Sequence, residues 1–203
     1  MTDTIEAQGS LEAFLKDEIL KVYQKVADNP EGEFHFFHGP EAAEMFDYKP
    51  EWLERAPAGA VASFAGVGNP HLRSELQPGE TVLDLGSGAG LDSIIAGWMV
   101  GSTGKVMGVD LNTSMCHKAQ AHVEATGMPM ECHEGRMEKI PLADASVDAI
   151  ISNGVINLSF QKRKVAEEMF RVLKPGGRIS ITDIVSAKQL SQSIVNDPKL
   201  WAS

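Results

Sequence analysis

Apolar residues recur at helical spacing near the start of the chain and form short β-branched runs after residue 80. Between Leu11 and Ala27, positions 11, 14, 15, 19, 22, 23 and 26 are apolar, which predicts a helix with one apolar face. The segment ADNPEGE ends that helix. Residues 34–70 carry four prolines and only short helical patches, so we interpret them as a cap or lid rather than part of a sheet.

Helical stretches separate five short apolar runs in the rest of the chain. The runs are TVLDLG, GKVMGVD, PMECHEG, VDAIISN and GRISITDIV, and the helical stretches lie around Leu91–Val100, Thr113–Ala125 and Lys162–Leu173. Alternating strands and helices predict a parallel sheet that is covered on both faces. Right-handed crossovers then give a doubly wound, Rossmann-like α/β fold with a helical N-terminal cap.

Composition and charge tell more about the possible partners of the protein than about its fold. The 203 residues are 43% apolar and 23% charged, as in globular proteins with a sizeable core. A balance of 18 basic against 28 acidic residues gives a net charge of −10, which disfavours nucleic-acid and membrane-surface partners. No stretch approaches the roughly 20 apolar residues that span a bilayer. The acidic N-terminus lacks the features of a secretion signal and only two cysteines are present, so we expect a cytoplasmic protein without a disulfide framework.

A glycine-rich loop follows the first predicted strand. In VLDLGSGAGLDS, Asp84 precedes glycines at positions 86, 88 and 90. Glycine lets the backbone turn sharply and lets a ligand approach where a Cβ atom would collide. The dinucleotide fingerprint G-x-G-x-x-G would need glycine where Leu91 stands, which disfavours a nicotinamide-dependent oxidoreductase. A glycine-rich turn without a ligand is the remaining alternative for this segment.

The second predicted strand ends on an acidic residue, Asp110, which lies 24 positions after Gly86 (110 − 86). A carboxylate at this place can accept hydrogen bonds from both hydroxyls of a ribose. The alternative is that Asp110 caps the helix that follows, a common use of aspartate. Asn112 could provide that cap itself, which favours the ribose role for Asp110.

Two later loops complete a pattern that resembles the class I methyltransferases that depend on S-adenosylmethionine (SAM). EGRMEKIPL follows the third strand, VDAIISN forms the fourth, and RVLKPGGRISITDIV supplies a helix, a turn and the fifth strand. The resemblance covers about Glu80 to Val185 and implies SAM as the cofactor. It also implies two regions, a helical N-terminal extension and lid (residues 1–75) and a SAM-binding methyltransferase domain (residues 76–203).

The resemblance further implies which residues bind SAM. Asp84 and Gly86 are expected near its methionine part, Asp110 on its ribose and Met137 at its adenine. Asn153 and Gly154 would flank the path of the methyl group as candidate catalytic residues, and no metal site is expected. The cofactor-binding residues expected in full are Asp84, Gly86, Ser87, Gly88, Asp110, Leu111, Met115, Arg136, Met137 and Asn153.

Further segments resemble the arsenite methyltransferase family in particular. These are FAGVGNPH before the first strand, SNGVINLS after the fourth and NDPKLWAS at the end. In that family three cysteine thiolates hold trivalent arsenic beside the SAM methyl group, in keeping with the preference of soft ions for thiolates. Two of those cysteine positions hold Val67 and Gly154 here, and the third would follow Ser203. Cys116 and Cys132 do not replace them, because we predict them as packed small side chains in a helix and a strand.

These observations predict a SAM-dependent methyltransferase that transfers a methyl group directly to a small-molecule or metalloid-like acceptor. The two strands that close the sheet in class I methyltransferases are expected to be missing, which would leave the fifth strand as an exposed apolar edge. Such an edge would favour a homodimer. The alternative function is a SAM-binding protein without turnover, either a truncated partner subunit or a regulator.

Overall fold

The computed structural model describes residues 2–128 and 130–188. Its N-terminal part is helical, with α1 (Thr2–Asp28), α2 (Gly39–Met45), α3 (Pro50–Arg55), α4 (Ala58–Ala62) and α5 (His71–Ser74). Strands and helices alternate in the remainder: β1 (Thr81–Leu85), α6 (Leu91–Val100), β2 (Lys105–Asp110), α7 (Thr113–Thr126), β3 (Met130–Glu134), β4 (Val147–Asn153), a 3-10 helix (Ile156–Leu158), α8 (Lys162–Val172) and β5 (Leu173–Thr182). The first helix is longer than predicted, since it begins at Thr2 rather than Leu11.

The strands form one parallel sheet in the order β3-β2-β1-β4-β5. Strand β1 pairs with β2 on one side and with β4 on the other, so the winding of the chain changes direction beside β1. The predicted doubly wound, Rossmann-like sheet is therefore confirmed. In such sheets ligands bind at the carboxyl ends of the strands next to this change of direction.

The core lies on both faces of the sheet, because successive side chains of a strand point to opposite sides. Val82 packs on one face in a cluster that includes Ile94 of α6. Leu83 and Leu85 are also fully buried and belong to a cluster on the other face with Val165 of α8. Fully burying a side chain of this size contributes about 1.5–3 kcal/mol, so the two layers of helices hold the sheet rigidly beneath its carboxyl edge.

The Pro-Gly-Gly segment lies inside β5 rather than before it. Val147 pairs with Leu173 and Ala149 pairs with Arg178, so residues 174–177 bulge opposite a single residue of β4. Gly176 has a φ of 81° there, in the left-handed region that favours glycine. The predicted turn between α8 and the fifth strand is thus an irregularity within that strand.

Strand β5 lies at one side of the sheet. Within residues 2–128 and 130–188 no strand pairs with its outer edge, and Ile179 and Ile181 are 51% and 37% exposed. A homodimer through this edge remains a prediction. None of the helices in the described ranges is both long and apolar enough to cross a membrane.

Residues 34–75, here called the lid, are held on β5 through hydrogen bonds to their last residues. Arg178 of β5 donates from Nε to the carbonyl oxygen of Ser74 at 2.7 Å and forms two hydrogen bonds with the carboxylate of Glu80, at 2.7 and 2.6 Å. Ser180 of β5 donates to the carbonyl oxygen of Pro70 at 2.6 Å. The end of the lid is thereby fixed to the last strand.

Candidate functional site

A cavity of about 470 Å³ lies at the carboxyl ends of β1, β2 and β4, beneath α1 and the lid. Its volume is within the range of about 300–1,000 Å³ that small-molecule sites occupy. Most of the residues that the sequence singles out line it together, namely Gly86, Ser87, Gly88, Asp110, Leu111, Met115, Arg136, Met137, Asn153 and Gly154.

Asp84 is the predicted residue that does not line this cavity. It is 2% exposed at the end of β1, and its carboxylate accepts a hydrogen bond from Ser93 Oγ at 2.5 Å. Burial, together with the neighbouring carboxylate of Asp92, holds the pKa of Asp84 well above its usual range. Asp84 therefore links the end of β1 to α6 instead of forming part of the wall.

Replacing Asp84 with asparagine is expected to stabilise the ligand-free protein at neutral pH. A carboxyl group whose pKa is raised by folding binds more protons in the folded state, so its contribution is fully present below the unfolded pKa and is lost as the pH rises through the folded pKa. Asparagine stays neutral and its Oδ1 can still accept from Ser93. Thermal unfolding should be followed from about pH 5 to pH 8. The melting temperature of D84N should exceed that of the parent protein by a margin that grows with pH.

The surface variant Asp28→Asn controls for the loss of a carboxylate, because Asp28 is exposed at the end of α1. The difference in melting temperature between D28N and the parent protein should not grow with pH in the same way. An advantage of D84N that is constant, or that shrinks as the pH rises, would contradict the assignment of a raised pKa to Asp84.

Asp110 ends β2 with its carboxylate fixed by backbone amides. The N–H of Gly88 donates to Oδ2 at 2.9 Å, and the N–H of Asn112 donates to Oδ1 at 2.8 Å. Burial nevertheless raises the pKa of Asp110 above its usual value. Asn112 is the N-cap of α7, since its Oδ1 accepts from Met115 N at 3.1 Å. The expected cap by Asn112 is therefore confirmed. Each oxygen of Asp110 still has a lone pair that can accept a hydrogen bond from a ligand hydroxyl.

The glycine loop brings the backbone close to the cavity. Gly88 has a φ of +50°, in the left-handed region, and a Cβ atom added there would meet nothing within 4 Å. Because Gly88 lines the cavity, that open space is space for a ligand. Gly86 has a φ of +79°, and a Cβ there would collide with the side chain of Val155 at 2.6 Å. The two glycines are thus required for different reasons.

Asn153 ends β4 at the centre of a polar network. Its Oδ1 accepts from Val67 N at 2.9 Å and from Thr182 Oγ1 at 2.8 Å. Its amide nitrogen lies 3.0 Å from Asp92 Oδ2 and within hydrogen-bonding distance of two lid oxygens. Since its donors and its acceptor are engaged within the protein, Asn153 holds the cavity wall in place. It links the lid, β5 and α6 at this point, and the catalytic role expected from the sequence stays a prediction.

Asp92 is the carboxylate of this network, and the sequence analysis did not select it. It lines the cavity and is 8% exposed, and its Oδ1 accepts from Tyr48 Oη at 2.5 Å and lies 3.0 Å from His71 Nε2. Burial and the charge of Asp92 hold the pKa of Tyr48 well above its usual range, so the phenol stays neutral. Within the described ranges no lysine or arginine forms an ion pair with Asp92 or Asp84. This end of the cavity is therefore suited to a positively charged ligand group.

Ser63 is a second residue that sequence reasoning missed. Its side chain lines the cavity and the residue is only 4% exposed. Its hydroxyl has no hydrogen-bond partner in the part of the chain that the structure describes. Burying a polar group without a partner costs about 1–3 kcal/mol, so a hydroxyl left unpaired at a cavity wall indicates a polar group of a ligand.

Helix α1 covers the opening of the cavity. Lys16, Leu20 and Tyr23 are among its residues in the wall. The ring of Tyr23 stacks on Phe36 of the lid, with ring centroids 6.2 Å apart. Burial and the nearby carboxylates of Asp110 and Asp183 raise the pKa of Tyr23 to about 12. The phenol is therefore neutral near pH 7, and the helix closes the cavity with a largely uncharged surface.

Val67 and Gly154, the two positions that carry thiols in the arsenite methyltransferase pattern, lie together. A Cβ atom added to Gly154 would be 3.1 Å from Cγ1 of Val67. The side chains at this point are apolar or absent, so the wall offers no thiolate. Across the described ranges no group of three or more histidine, cysteine or acidic side chains is arranged to hold a metal ion.

A family model described as a methyltransferase domain matches residues 76–203. The chain belongs to the class I SAM-dependent methyltransferases. It is 42% identical over 134 residues to an arsenite methyltransferase of Halobacterium salinarum, a match that covers 66% of this chain and 34% of that protein. This methyltransferase chain thus spans about a third of the length of that relative.

Two further comparisons agree with this family. The methyltransferase chain is 38% identical over 113 residues to a ubiquinone/menaquinone biosynthesis C-methyltransferase of Salmonella arizonae, covering 54% of this chain and 45% of that protein. Its structure matches that of an arsenic(III) S-adenosylmethionine methyltransferase from Chlamydomonas reinhardtii with a TM-score of 0.62 and 34% identity, covering 79% of this chain and 55% of the other. The family model and the Chlamydomonas structure support SAM as the cofactor.

The residues of the cavity fit SAM. Asp110 offers carboxylate oxygens that suit the hydroxyls of a ribose, and Asp92 adds a second carboxylate to the wall, which suits the ammonium of the methionine part. The unpaired hydroxyl of Ser63 and the open space at Gly88 are consistent with a polar ligand that approaches the loop closely.

Replacing Gly88 with alanine should weaken SAM binding by roughly tenfold, because one added carbon in a filled pocket costs about 1–3 kcal/mol. Gly127→Ala is the matched control. Gly127 is the left-handed C-cap of α7, with a φ of 66° and nothing within 4 Å of an added Cβ. Both variants should lose about 1–2 kcal/mol of stability from backbone strain. Calorimetric titration with SAM should separate them, and equal affinities would show that Gly88 does not face the cofactor.

Proposed function

We propose that this methyltransferase chain binds SAM in the cavity and transfers its methyl group directly to a small-molecule acceptor that brings its own lone pair. SAM supplies an electrophilic methyl group on a positively charged sulfur atom. The observation that carries the proposal is the state of the acidic side chains in the cavity wall, each of which already accepts hydrogen bonds from the protein.

The acidic side chains of the wall are all engaged. Asp92 accepts from Tyr48, and Asp110 accepts from two backbone amides. Glu138 accepts from Ser159 Oγ at 2.6 Å and from Arg136 Nε at 3.3 Å. Among the described residues that line the cavity there is no histidine and no cysteine. An acceptor that must first lose a proton, such as an alcohol or a phenol, would therefore find neither an imidazole nor a thiolate in the described wall to take it.

Tyr23 does not change this conclusion. A phenol can act as a base only when it is ionised, and the pKa of Tyr23 is raised to about 12. Near pH 7 its hydroxyl is a hydrogen-bond donor. The acceptor that suits such a wall carries a lone pair on a soft or tertiary atom, as a thioether, a thiolate or a trivalent metalloid does.

The contribution of the protein is to hold the reactants and exclude water. Helix α1 and the lid cover the cavity, with Phe64 and Leu158 among the apolar residues of the wall. Holding two reactants in line in a closed site can contribute on the order of 7–11 kcal/mol to lowering the barrier, without any acid or base. The chain can therefore promote the transfer by positioning the reactants alone, and the parts that position them are α1, the lid and Asn153.

The Halobacterium and Chlamydomonas relatives are named for arsenite and arsenic(III), but the wall supports a different mode of holding the acceptor. Val67 and Gly154 offer no thiolate where the arsenite family has two of its three. We therefore propose that the acceptor is held by apolar contacts and shape. A metalloid would reach the site as an uncharged adduct with a small thiol, rather than through protein sulfur atoms.

Titration calorimetry with the purified chain tests the cofactor. Saturable heat is expected with SAM and with S-adenosylhomocysteine, and none with NADH. Transfer is then tested with methyl-deuterated SAM and mass spectrometry on three acceptors, which are an alkyl thioether, a trivalent arsenical with excess glutathione, and a phenol. We expect labelled product from at least one of the first two and none from the phenol. Transfer to the phenol, or binding of SAM without transfer to any acceptor, would contradict the proposal.

A further inference from the structure

Ser63 brings an unpaired hydroxyl to the wall of the cavity, and the proposed mechanism does not use it. The residue directly follows α4, and its backbone N–H donates to the carbonyl oxygen of Gly59 at 3.2 Å. It is 4% exposed, and no group of the described residues forms a hydrogen bond with its hydroxyl. A buried hydroxyl without a partner is unfavourable, so this one is suited to a ligand that supplies the partner.

Ser63 lies near Asp92, because the next residue in the chain packs on a partner of that carboxylate. The ring of Phe64 meets the ring of Tyr48 edge-on, with centroids 5.0 Å apart. Tyr48 in turn donates from Oη to Asp92 Oδ1 at 2.5 Å. Ser63, Phe64 and Asp92 all line the cavity. The unpaired hydroxyl and the carboxylate therefore belong to the same part of the wall.

The first turn of α6 adds hydrogen-bond donors to this part of the wall. The N-cap of α6 is Gly90, which gives no side-chain hydrogen bond to the helix. The first backbone N–H groups of a helix have no acceptor within the helix, and its positive end favours a negatively charged group. Gly90, Leu91 and Asp92 line the cavity. An acceptor, the carboxylate of Asp92, thus lies beside several donors, which are these amides and the hydroxyl of Ser63.

The positively charged side chains of the wall are engaged in other places. Among the described residues that line the cavity they are Lys16 and Arg136. Lys16 also borders a surface depression together with Glu134, at the end of β3. Arg136 forms an ion pair with Glu138 at 3.3 Å. A ligand carboxylate bound next to Asp92 would therefore depend on the hydroxyl and the amides rather than on an ion pair.

We propose that the hydroxyl of Ser63 binds the carboxylate of the methionine part of SAM, so that the chain distinguishes SAM from decarboxylated SAM. This inference rests on the proposed function. The amino-acid group of SAM carries an ammonium and a carboxylate on one carbon atom, so its site needs an acceptor and donors side by side. Asp92 is the acceptor, and Ser63 and the first amides of α6 are the donors. The bound carboxylate gives the buried hydroxyl its missing partner.

Calorimetric titration of the parent chain and of S63A with two ligands tests this inference. Decarboxylated SAM keeps the adenine, the ribose, the charged sulfur and the ammonium, and it lacks only the carboxylate. The parent chain should bind SAM roughly tenfold more tightly than decarboxylated SAM, because hydrogen bonds to a charged group are lost. S63A should bind SAM roughly tenfold more weakly than the parent, whereas its affinity for decarboxylated SAM should change by less than about twofold.

Thermal unfolding without ligand separates this role from a structural one. S63A removes a hydroxyl that has no partner, so it should melt at the temperature of the parent protein or above it. Ser74→Ala is the control, since Ser74 is 2% exposed, lies outside the cavity wall and donates to the carbonyl oxygen of His71 at 3.4 Å. S74A should melt below the parent protein, and its SAM affinity should be unchanged.

The outcomes separate this inference from the proposed function. Equal weakening of both ligands in S63A would show that Ser63 supports the lid rather than the carboxylate, and unchanged SAM affinity would remove it from the site. A melting temperature of S63A below that of the parent would show that the hydroxyl is paired without ligand. Each of these results overturns the inference while the parent still binds SAM. If the parent binds neither ligand, the proposed function fails and the inference fails with it.

Discussion

Replacing Asn153 with alanine should lower the free energy of unfolding by about 3 kcal/mol or more. Alanine removes the acceptor of Val67 N and of the Thr182 hydroxyl, and it removes the donor to Asp92 Oδ2. A buried polar group left without a partner costs about 1–3 kcal/mol, and a buried carboxylate costs more. Because the three partners belong to the lid, β5 and α6, the loss would also loosen the lid over the cavity.

Urea-induced unfolding measures this effect, and Gln120→Ala is its control. Gln120 lies on α7, where its side-chain amide donates to Glu124 at 3.3 Å on the surface. Removing an exposed amide of this kind should change stability by no more than about 0.5 kcal/mol. Titration with SAM, at a temperature where N153A is folded, should also show weaker binding. If N153A and Q120A unfold at the same urea concentration, the network around Asn153 does not support the lid.

The strands could be predicted because each is encoded in a short segment. The apolar run at residues 147–153 predicts a strand there, and β4 is Val147–Asn153. The N-cap of α7 is equally local, since it depends on Asn112 and an amide three residues later. The start of α1 was less well predicted. Residues 2–10 lack a clear apolar face, so periodicity gave no signal, although the structure continues the helix through them.

The polar network could not be predicted, because its hydrogen bonds join distant parts of the chain. Tyr48 and Asp92 are separated by 44 positions, and Asp92 and Asn153 by 61. These contacts depend on how the lid docks on the sheet, which neither periodicity nor a motif reports. The only local signal for Asp92 was an acid in the first turn of α6, which is also the usual place for a residue that interacts with the helix dipole.

The surroundings of Ser63, Asp84 and Asn153 could not be predicted for a related reason. A sequence shows which side chains stand near a loop, but not which of their atoms are already paired. Asp84 and Asn153 are satisfied by protein partners, whereas the hydroxyl of Ser63 has none in the described part of the chain. The candidate site is therefore defined by unpaired atoms and open space as much as by the glycine motif.

Replacing Asp110 with asparagine should weaken SAM binding by about 1–3 kcal/mol, or roughly tenfold to a hundredfold in Kd. Asp110 accepts from Gly88 N on one oxygen and from Asn112 N on the other. Asparagine has a single oxygen, so its amino group must face one of these donors. The variant also lacks the negative charge that strengthens hydrogen bonds to ribose hydroxyls. Calorimetric titration of D110N with SAM measures the loss.

Glu134→Gln is the matched control, because Glu134 pairs with Asp110 across the sheet and its exposed carboxylate accepts from Thr113. It removes the same charge one strand away from the cavity, so SAM affinity should change by less than about twofold if only long-range charge is altered. S-adenosylhomocysteine gives the second comparison. It shares the ribose but lacks the charged sulfur, so a ribose contact predicts that D110N weakens both ligands equally. A loss confined to SAM would instead place Asp110 beside the sulfonium, and an unchanged affinity would remove it from the site.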